Sequence, residues 1–176
     1  RQRMVVGCTS EYDEGARSLI LSGHIDVVPA DPVELWTTDP WEGKMENGRI
    51  YGRGAADMKA GIGSMIMAMT CILRAGVRPA GQVQIHSIPD EEAGNIGALY
   101  IAAKGFRADG CIVGEPTGLY IQPKHKGVLW LRVDVRGRSG HAQLPSEHWV
   151  DGGPVSAIQK AMYIAEALER LNDEWT

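Results

Sequence analysis

Apolar and polar positions follow two different periods along this chain, and the changes of period mark out its elements. Met4, Val5 and Val6 form a short apolar run that predicts a strand, and residues 9–15 form a polar turn. Residues 18–22 carry a continuous apolar run, the pattern of a strand covered on both faces in a parallel sheet. Residues 29–48, with Pro29, Pro32, Trp36, Pro40 and Trp41, read as a long loop or hairpin region, and loops of this length in compact domains are usually functional. A brief extended piece follows at residues 49–52. From Met58 the period becomes helical: Ile62, Met65, Ile66, Met69 and Leu73 recur on one face, with Gly76 as a stop. We read this Met-rich stripe as core rather than as a ligand groove. Residues 83–88 predict a strand ending at Pro89-Asp90-Glu91-Glu92, residues 96–104 a helix closed by Gly105, and residues 110–113 another buried strand ending at Gly114-Glu115.

Strand, helix, strand, helix, strand is the order of an α/β domain with a largely parallel sheet and helices on both faces. The composition shifts near Ile121. Leu129, Leu131, Val133 and Val135 alternate with Trp130, Arg132, Asp134 and Arg136, which predicts a strand with one buried and one wet face, typical of an antiparallel sheet. A polar loop at residues 137–146 contains His141. Pro154 suits the first turn of a helix whose stripe is Ile158, Met162, Ala165 and Leu168. A domain boundary at about residues 117–124 therefore separates a first domain, 1–120, from the start of a smaller α+β domain, 121–176.

Length and charge narrow the function. The 176 residues suffice for one sizeable core, or one domain and part of another. A net charge of -4 gives no electrostatic case for nucleic acid or an anionic membrane as partner. No apolar run is long enough to predict a membrane span, and the start lacks the apolar stretch of a signal peptide. Cys8, Cys71 and Cys111 are odd in number and widely spaced, which predicts reduced thiols in a cytoplasmic compartment; Cys71 and Cys111 are expected in core packing. The chain lacks Met at position 1 and stops at Trp175-Thr176 directly after a helical pattern, so we expect a fragment of a longer protein.

The candidate chemistry gathers at predicted strand ends, where α/β sheets bind ligands. His24 and Asp26 stand two residues apart, a spacing that turns both to one side of an extended segment. His24, Asp57, Glu92 and Glu115 supply one imidazole and three carboxylates, a nitrogen and oxygen set suited to Zn²⁺, Co²⁺ or Mn²⁺. Several carboxylates allow a two-metal site, with Glu91 left as a general base. Each residue also has a plainer reading: Asp57 as a helix N-cap, Asp90-Glu91-Glu92 as an acidic first turn, His141 as a solvated loop residue. Gly52-Arg53-Gly54-Ala55-Ala56-Asp57 has the look of a dinucleotide-binding loop, but its final carboxylate would repel a pyrophosphate.

Five stretches carry a resemblance: SGHIDVVP at 22–29, GRGAADMKAG at 52–61, DEEAGNIG at 90–97, VGEPT at 113–117 and GRSGHAQLP at 137–145. Together, in this order, they resemble the M20 metallopeptidase family, which includes acetylornithine deacetylase, succinyl-diaminopimelate desuccinylase, aminoacylase-1 and carboxypeptidase G2. The resemblance implies that His24 and Glu115 bind one metal, Asp57 bridges both, and Glu92 binds the second. It further implies that Glu91 is the general base, that Asp26 orients His24, and that His141 reaches from a lid and dimerisation domain into the partner subunit's site to stabilise an oxyanion. The family's last metal ligand, a histidine near the C-terminus of the catalytic domain, has no counterpart here, and His86, His125 and His148 are expected to be structural or exposed. The implied function is a dinuclear zinc-dependent hydrolase acting as a homodimer on a small N-acyl amino acid. The alternatives are an aminopeptidase or dipeptidase of the same family, or a non-catalytic paralogue serving as a dimerisation or ligand-binding module.

Overall fold

The apolar run that opens the second strand lies in the interior of a sheet, where such a run is stable. The computed structural model describes residues 4–9, 11–125, 127, 131–141 and 148–175, which fall into two units, Arg1–Pro123 and Lys124–Thr176. The first unit contains strands β1 (Val5–Cys8), β2 (Leu19–His24), β3 (Lys44–Glu46), β4 (Arg49–Tyr51), β5 (Val83–Ile88) and β6 (Gly110–Val113), and helices α1 (Ala60–Arg74) and α2 (Ile96–Ala103). Four strands form one sheet in the order β1-β5-β2-β6. β2 pairs in parallel with both β5 and β6, while β1 joins β5 antiparallel at one edge. The fold is mixed α/β with a mostly parallel sheet.

The core lies between this sheet and α1. Ile62, Met65 and Met69 face Leu21 and Val83, and Met58, wholly buried, completes the cluster. Two glycines permit the approach. A Cβ on Gly23 would stand 2.6 Å from Ile62 and 2.7 Å from Met58, and one on Gly61 would run into the carbonyl of Gly114. Two members of the predicted stripe depart from expectation: Ile66 and Leu73 are about half exposed, and with Cys8, Val83 and Ile85 they line an open cleft of about 710 Å³. Residues 55–74 have the length and mean hydropathy, 1.3, of a membrane-crossing helix. Non-helical dihedrals at Asp57 and Met58 break that run, and Ile62, Met65 and Met69 pack one side of it on the sheet.

The loop region predicted at 29–48 contains the hairpin strand β3, which pairs antiparallel with β4 through Asn47 and Gly48, both at positive φ, the backbone that a tight hairpin turn requires. β6 corrects an expectation: predicted buried, it is among the described residues an edge strand beside β2 alone, and Cys111, Ile112 and Val113 are exposed. All three cysteines are free and exposed, so Cys71 and Cys111 are not core residues.

In the second unit, helix α3 (Ala157–Trp175) begins three residues after Pro154, and the Ser156 hydroxyl accepts the Gln159 N–H at 3.2 Å as its cap. Ile158, Met162 and Leu168 on its predicted stripe are exposed. The amphipathic strand predicted near residues 128–135 is not formed over residues 131–137, and residues 128–130 lie outside the described set. An alternating pattern becomes a strand only beside a hydrogen-bonding neighbour. Among the described residues of this unit the only pairing is an isolated bridge between Arg138 and Val155.

Candidate metal centre

His24 is the last residue of β2, and its side chain is only 1% exposed. Its Nδ1 lies 3.0 Å from the backbone carbonyl oxygen of Asp26, and its Nε2 lies 3.0 Å from Asp57 Oδ1. Glu91 and Glu115 each place a carboxylate oxygen 3.9 Å from the same Nε2. Burial alone would pull the imidazole pKa down; the hydrogen bonds to Asp57 and the Asp26 carbonyl, with the charges of Glu115 and Glu91, outweigh it and raise the pKa above 6.5.

Each carboxylate is delivered by a chain segment at the carboxyl edge of the parallel strands, the edge at which such sheets bind ligands. The β2–β5 ladder runs on through Ile25 N–H, which donates to the Ile88 carbonyl at 2.8 Å. Beyond it, the Asp26 carboxylate accepts the N–H groups of Glu91 at 3.2 Å and Glu92 at 3.1 Å, which fixes the acidic turn after β5. Helix α2 begins only at Ile96 and has no acidic residue in its first turn, so Asp90-Glu91-Glu92 is not the helix-dipole pattern that the sequence also allowed. Glu115 follows the end of β6, where Gly114 N–H donates to the Ser22 carbonyl at 3.1 Å. Asp57 lies in the turn Ala55–Lys59 ahead of α1, where its own dihedrals and those of Met58 are non-helical. It caps no helix: the residue preceding α1 is Lys59, and the Asp57 carboxylate is engaged by His24. Met58, buried among Gly23, Gly61 and Gly114, anchors the turn from below while Asp57 stays 56% exposed beside it.

Two groups of ligand atoms lie within 4.8 Å of one another: His24, Asp57 and Glu92, and His24, Glu91 and Glu115. Bonds of about 2.0–2.2 Å to a single Zn²⁺ put its ligand atoms at most about 4.4 Å apart, so groups of this size suit one ion after small adjustment. Burial raises the Glu115 pKa; His24 opposes this, and the charges of Asp57, Glu91 and Glu92 add to it. Among the described residues, the only cationic partner these carboxylates have within 4.0 Å is the His24 ring. So many carboxylates against one imidazole is a donor set that a divalent cation would balance, and the residues present fit such an ion.

Sequence reasoning singled out every side chain in this cluster. It missed Met58 as the anchor of Asp57, which looks in the sequence like one more methionine of the helical stripe. It also missed that the Asp26 carboxylate serves the Glu91–Glu92 turn, a contact between distant segments with no local signature. His86 is buried, within 2.9 Å of Gln84 Oε1; His125 is exposed; His148 accepts the Val150 N–H. His141 is exposed and belongs to the second unit.

The model of peptidase family M20/M25/M40 matches residues 20–174. Among curated proteins, the succinyl-diaminopimelate desuccinylase of Methylibium petroleiphilum is 38% identical over 155 residues, covering 82% of this chain and 39% of its own. That of Rhodospirillum centenum is 37% identical over 153 residues, covering 81% and 39%. The chain thus spans about two-fifths of the length of these relatives. Among solved structures, the M20 family metallo-carboxypeptidase Sso-CP2 from Sulfolobus solfataricus superposes with a TM-score of 0.56 at 27% identity, over 63% of this chain and 25% of that one. Human carnosine dipeptidase 1 shares the fold, with a TM-score of 0.54 at 24% identity over 62% of this chain and 24% of its own. Motif order, sheet topology and a carboxylate-rich edge around a buried histidine agree with the family match, and the chain belongs to peptidase family M20/M25/M40.

Proposed function

We propose that the whole protein is a metal-dependent amide hydrolase that removes the acyl group from a small N-acyl amino acid, with a succinylated or acetylated amine as the substrate class. The observation that carries this reading is the convergence of Asp57, Glu91, Glu92 and Glu115 on the buried His24 at one sheet edge. The names of the desuccinylase relatives support the acyl class.

Two Zn²⁺ ions are the proposed cofactor, with Co²⁺ or Mn²⁺ as substitutes; His24 and Glu115 would hold one, Glu92 the other, and Asp57 both. Bound there, the metal would polarise the acyl carbonyl and bring the pKa of a water towards neutrality. Glu91 takes the proton of the attacking water and passes it to the departing amine. Asp26 holds the Glu91–Glu92 turn through their N–H groups and His24 through its carbonyl. His141 donates a hydrogen bond to the developing oxyanion, in trans, from the lid and dimerisation domain of a homodimer. Residues 1–120 form the catalytic part and 121–176 the start of that second domain. The three free cysteines support a cytoplasmic setting.

The test is metal analysis of the full-length protein beside assays on N-succinyl and N-acetyl amino acids and on unblocked dipeptides. The reading expects about two ions per subunit, release of free amine from the acylated substrates, loss of activity with a chelator, and its return with Zn²⁺. Hydrolysis of unblocked dipeptides alone, or a protein free of metal, would overturn it.

A further inference from the structure

Between Asp26 and Asp57 the chain makes a long excursion, and Arg53 ties the two ends of it together. Its guanidinium lies over the Trp36 ring, 4.9 Å from the centroid, and its Nη2 donates to the Pro29 carbonyl at 3.3 Å. Its own backbone N–H donates to the Pro40 carbonyl at 2.8 Å. Trp36 is held in turn by its Nε1–H, which donates to the carbonyl of the buried Ala30 at 2.9 Å. Next to Arg53, Gly54 has φ 76°, and a Cβ there would collide with Val27, so the returning segment lies directly on the segment that leaves β2.

Arg53 is not there for a salt bridge. Among the described residues it forms no ion pair, and its Nε is buried without a hydrogen-bond partner. A planar fork that stacks and reaches carbonyls at once is the property that distinguishes arginine from lysine. Asp57, four residues further on, is exposed and among the described residues its side chain is bonded only to His24, so its position has to come from its backbone. Met58 holds that backbone from below, and Arg53 holds the approach to it.

We propose that Arg53, stacked on Trp36, is a positioning residue that locks the 29–41 loop to the Gly52–Asp57 segment and thereby places the Asp57 carboxylate against His24. This rests on the metal-centre reading above. Arg53 touches no proposed ligand and acts through the chain.

The experiment uses the full-length protein titrated with Co²⁺, whose visible absorption reports ligand geometry. Arg53→Met and Trp36→Ala should each weaken Co²⁺ binding by about tenfold or more, in the range for residues supporting metal ligands, and change the absorption band. The double variant should lose no more than the worse single one, because both break the same latch. kcat should fall while KM changes little. Leu73→Ala, on the half-exposed edge of α1, should keep wild-type affinity despite lower thermal stability, which separates positioning from general destabilisation. If Arg53→Met does not fold, Arg53→Lys and Trp36→Phe carry the same test, with weakened binding expected in each. Wild-type affinity and spectrum in the Arg53 and Trp36 variants would overturn the latch alone. A wild-type protein that takes up no Co²⁺ would overturn the metal centre and the latch with it.

Discussion

His24 Nδ1 meets Asp26 through the backbone carbonyl, at 3.0 Å, while the Asp26 carboxylate lies 3.6 Å from the same nitrogen and turns to the N–H groups of Glu91 and Glu92. One residue thus sets the histidine with its main chain and the acidic turn with its side chain. The side chain is 13% exposed, so the two N–H groups have little water to fall back on.

Asp26→Ala should therefore act on the turn rather than on His24, whose carbonyl partner survives the substitution. Metal affinity should drop by about 10–100-fold, the usual cost of losing a residue that supports the ligands. Asp26→Asn should be nearly as damaging, since its amide NH₂ would face one of the two N–H donors. Metal titration of both variants checks this; an unchanged affinity would show that the turn holds itself.

Glu91→Gln separates two roles that the geometry places side by side. As a general base, Glu91 is worth about 10²–10⁴-fold in kcat, and its amide should leave metal content intact. As a ligand grouped with His24 and Glu115, its loss should lower metal content as well. We expect the first pattern, read from kcat and metal stoichiometry on the same sample.

Gly23→Ala should destabilise the fold by about 1–3 kcal/mol, the usual cost of overpacking. The added methyl would meet Ile62 and Met58 at 2.6 and 2.7 Å. Met58 neighbours Asp57, so metal affinity should weaken together with the denaturation midpoint. Gly63→Ala, with open space around its Cβ position, is the control and should cost nothing measurable.

His86 makes stability depend on pH. Burial pushes its imidazole below the ordinary 6.5, edge-on to the Phe106 ring with centroids 5.6 Å apart. As pH falls below 6.5 the unfolded chain takes up a proton that the folded chain refuses, so stability falls. The loss is complete once pH drops through the lower folded-state pKa. Each unit between the two pKa values is worth about 1.4 kcal/mol. His86→Gln, which cannot gain charge, should flatten the acid side of the profile in urea melts between pH 7 and 5. An unaltered slope would assign the pH dependence to other groups.

The elements and candidate ligands of the first unit were legible in the sequence because their signals are local. An unbroken apolar run marks β2, a 3.6-residue period marks α1, Gly105 at φ 88° closes α2, and the polar residues that follow each strand fall at the sheet's carboxyl edge. Tertiary structure decided what each residue has beside it. Val113 and Cys111 belong to an apolar run yet lie exposed, because among the described residues β6 has a neighbour on one side only. The alternation at residues 131–135 forms no strand, and among the described residues none pairs with it to accept its hydrogen bonds. Asp90, Glu91 and Glu92 look like a helix start but form a turn, because Asp26, more than sixty residues earlier, captures two of its N–H groups. Asp57 could cap a helix or face His24, and the burial of Met58 next to it decided for His24. A sequence carries each residue's own period and chemistry; which donor meets which acceptor across the fold is fixed only when distant segments pack, because burial makes an unpaired polar group costly and so selects its partner.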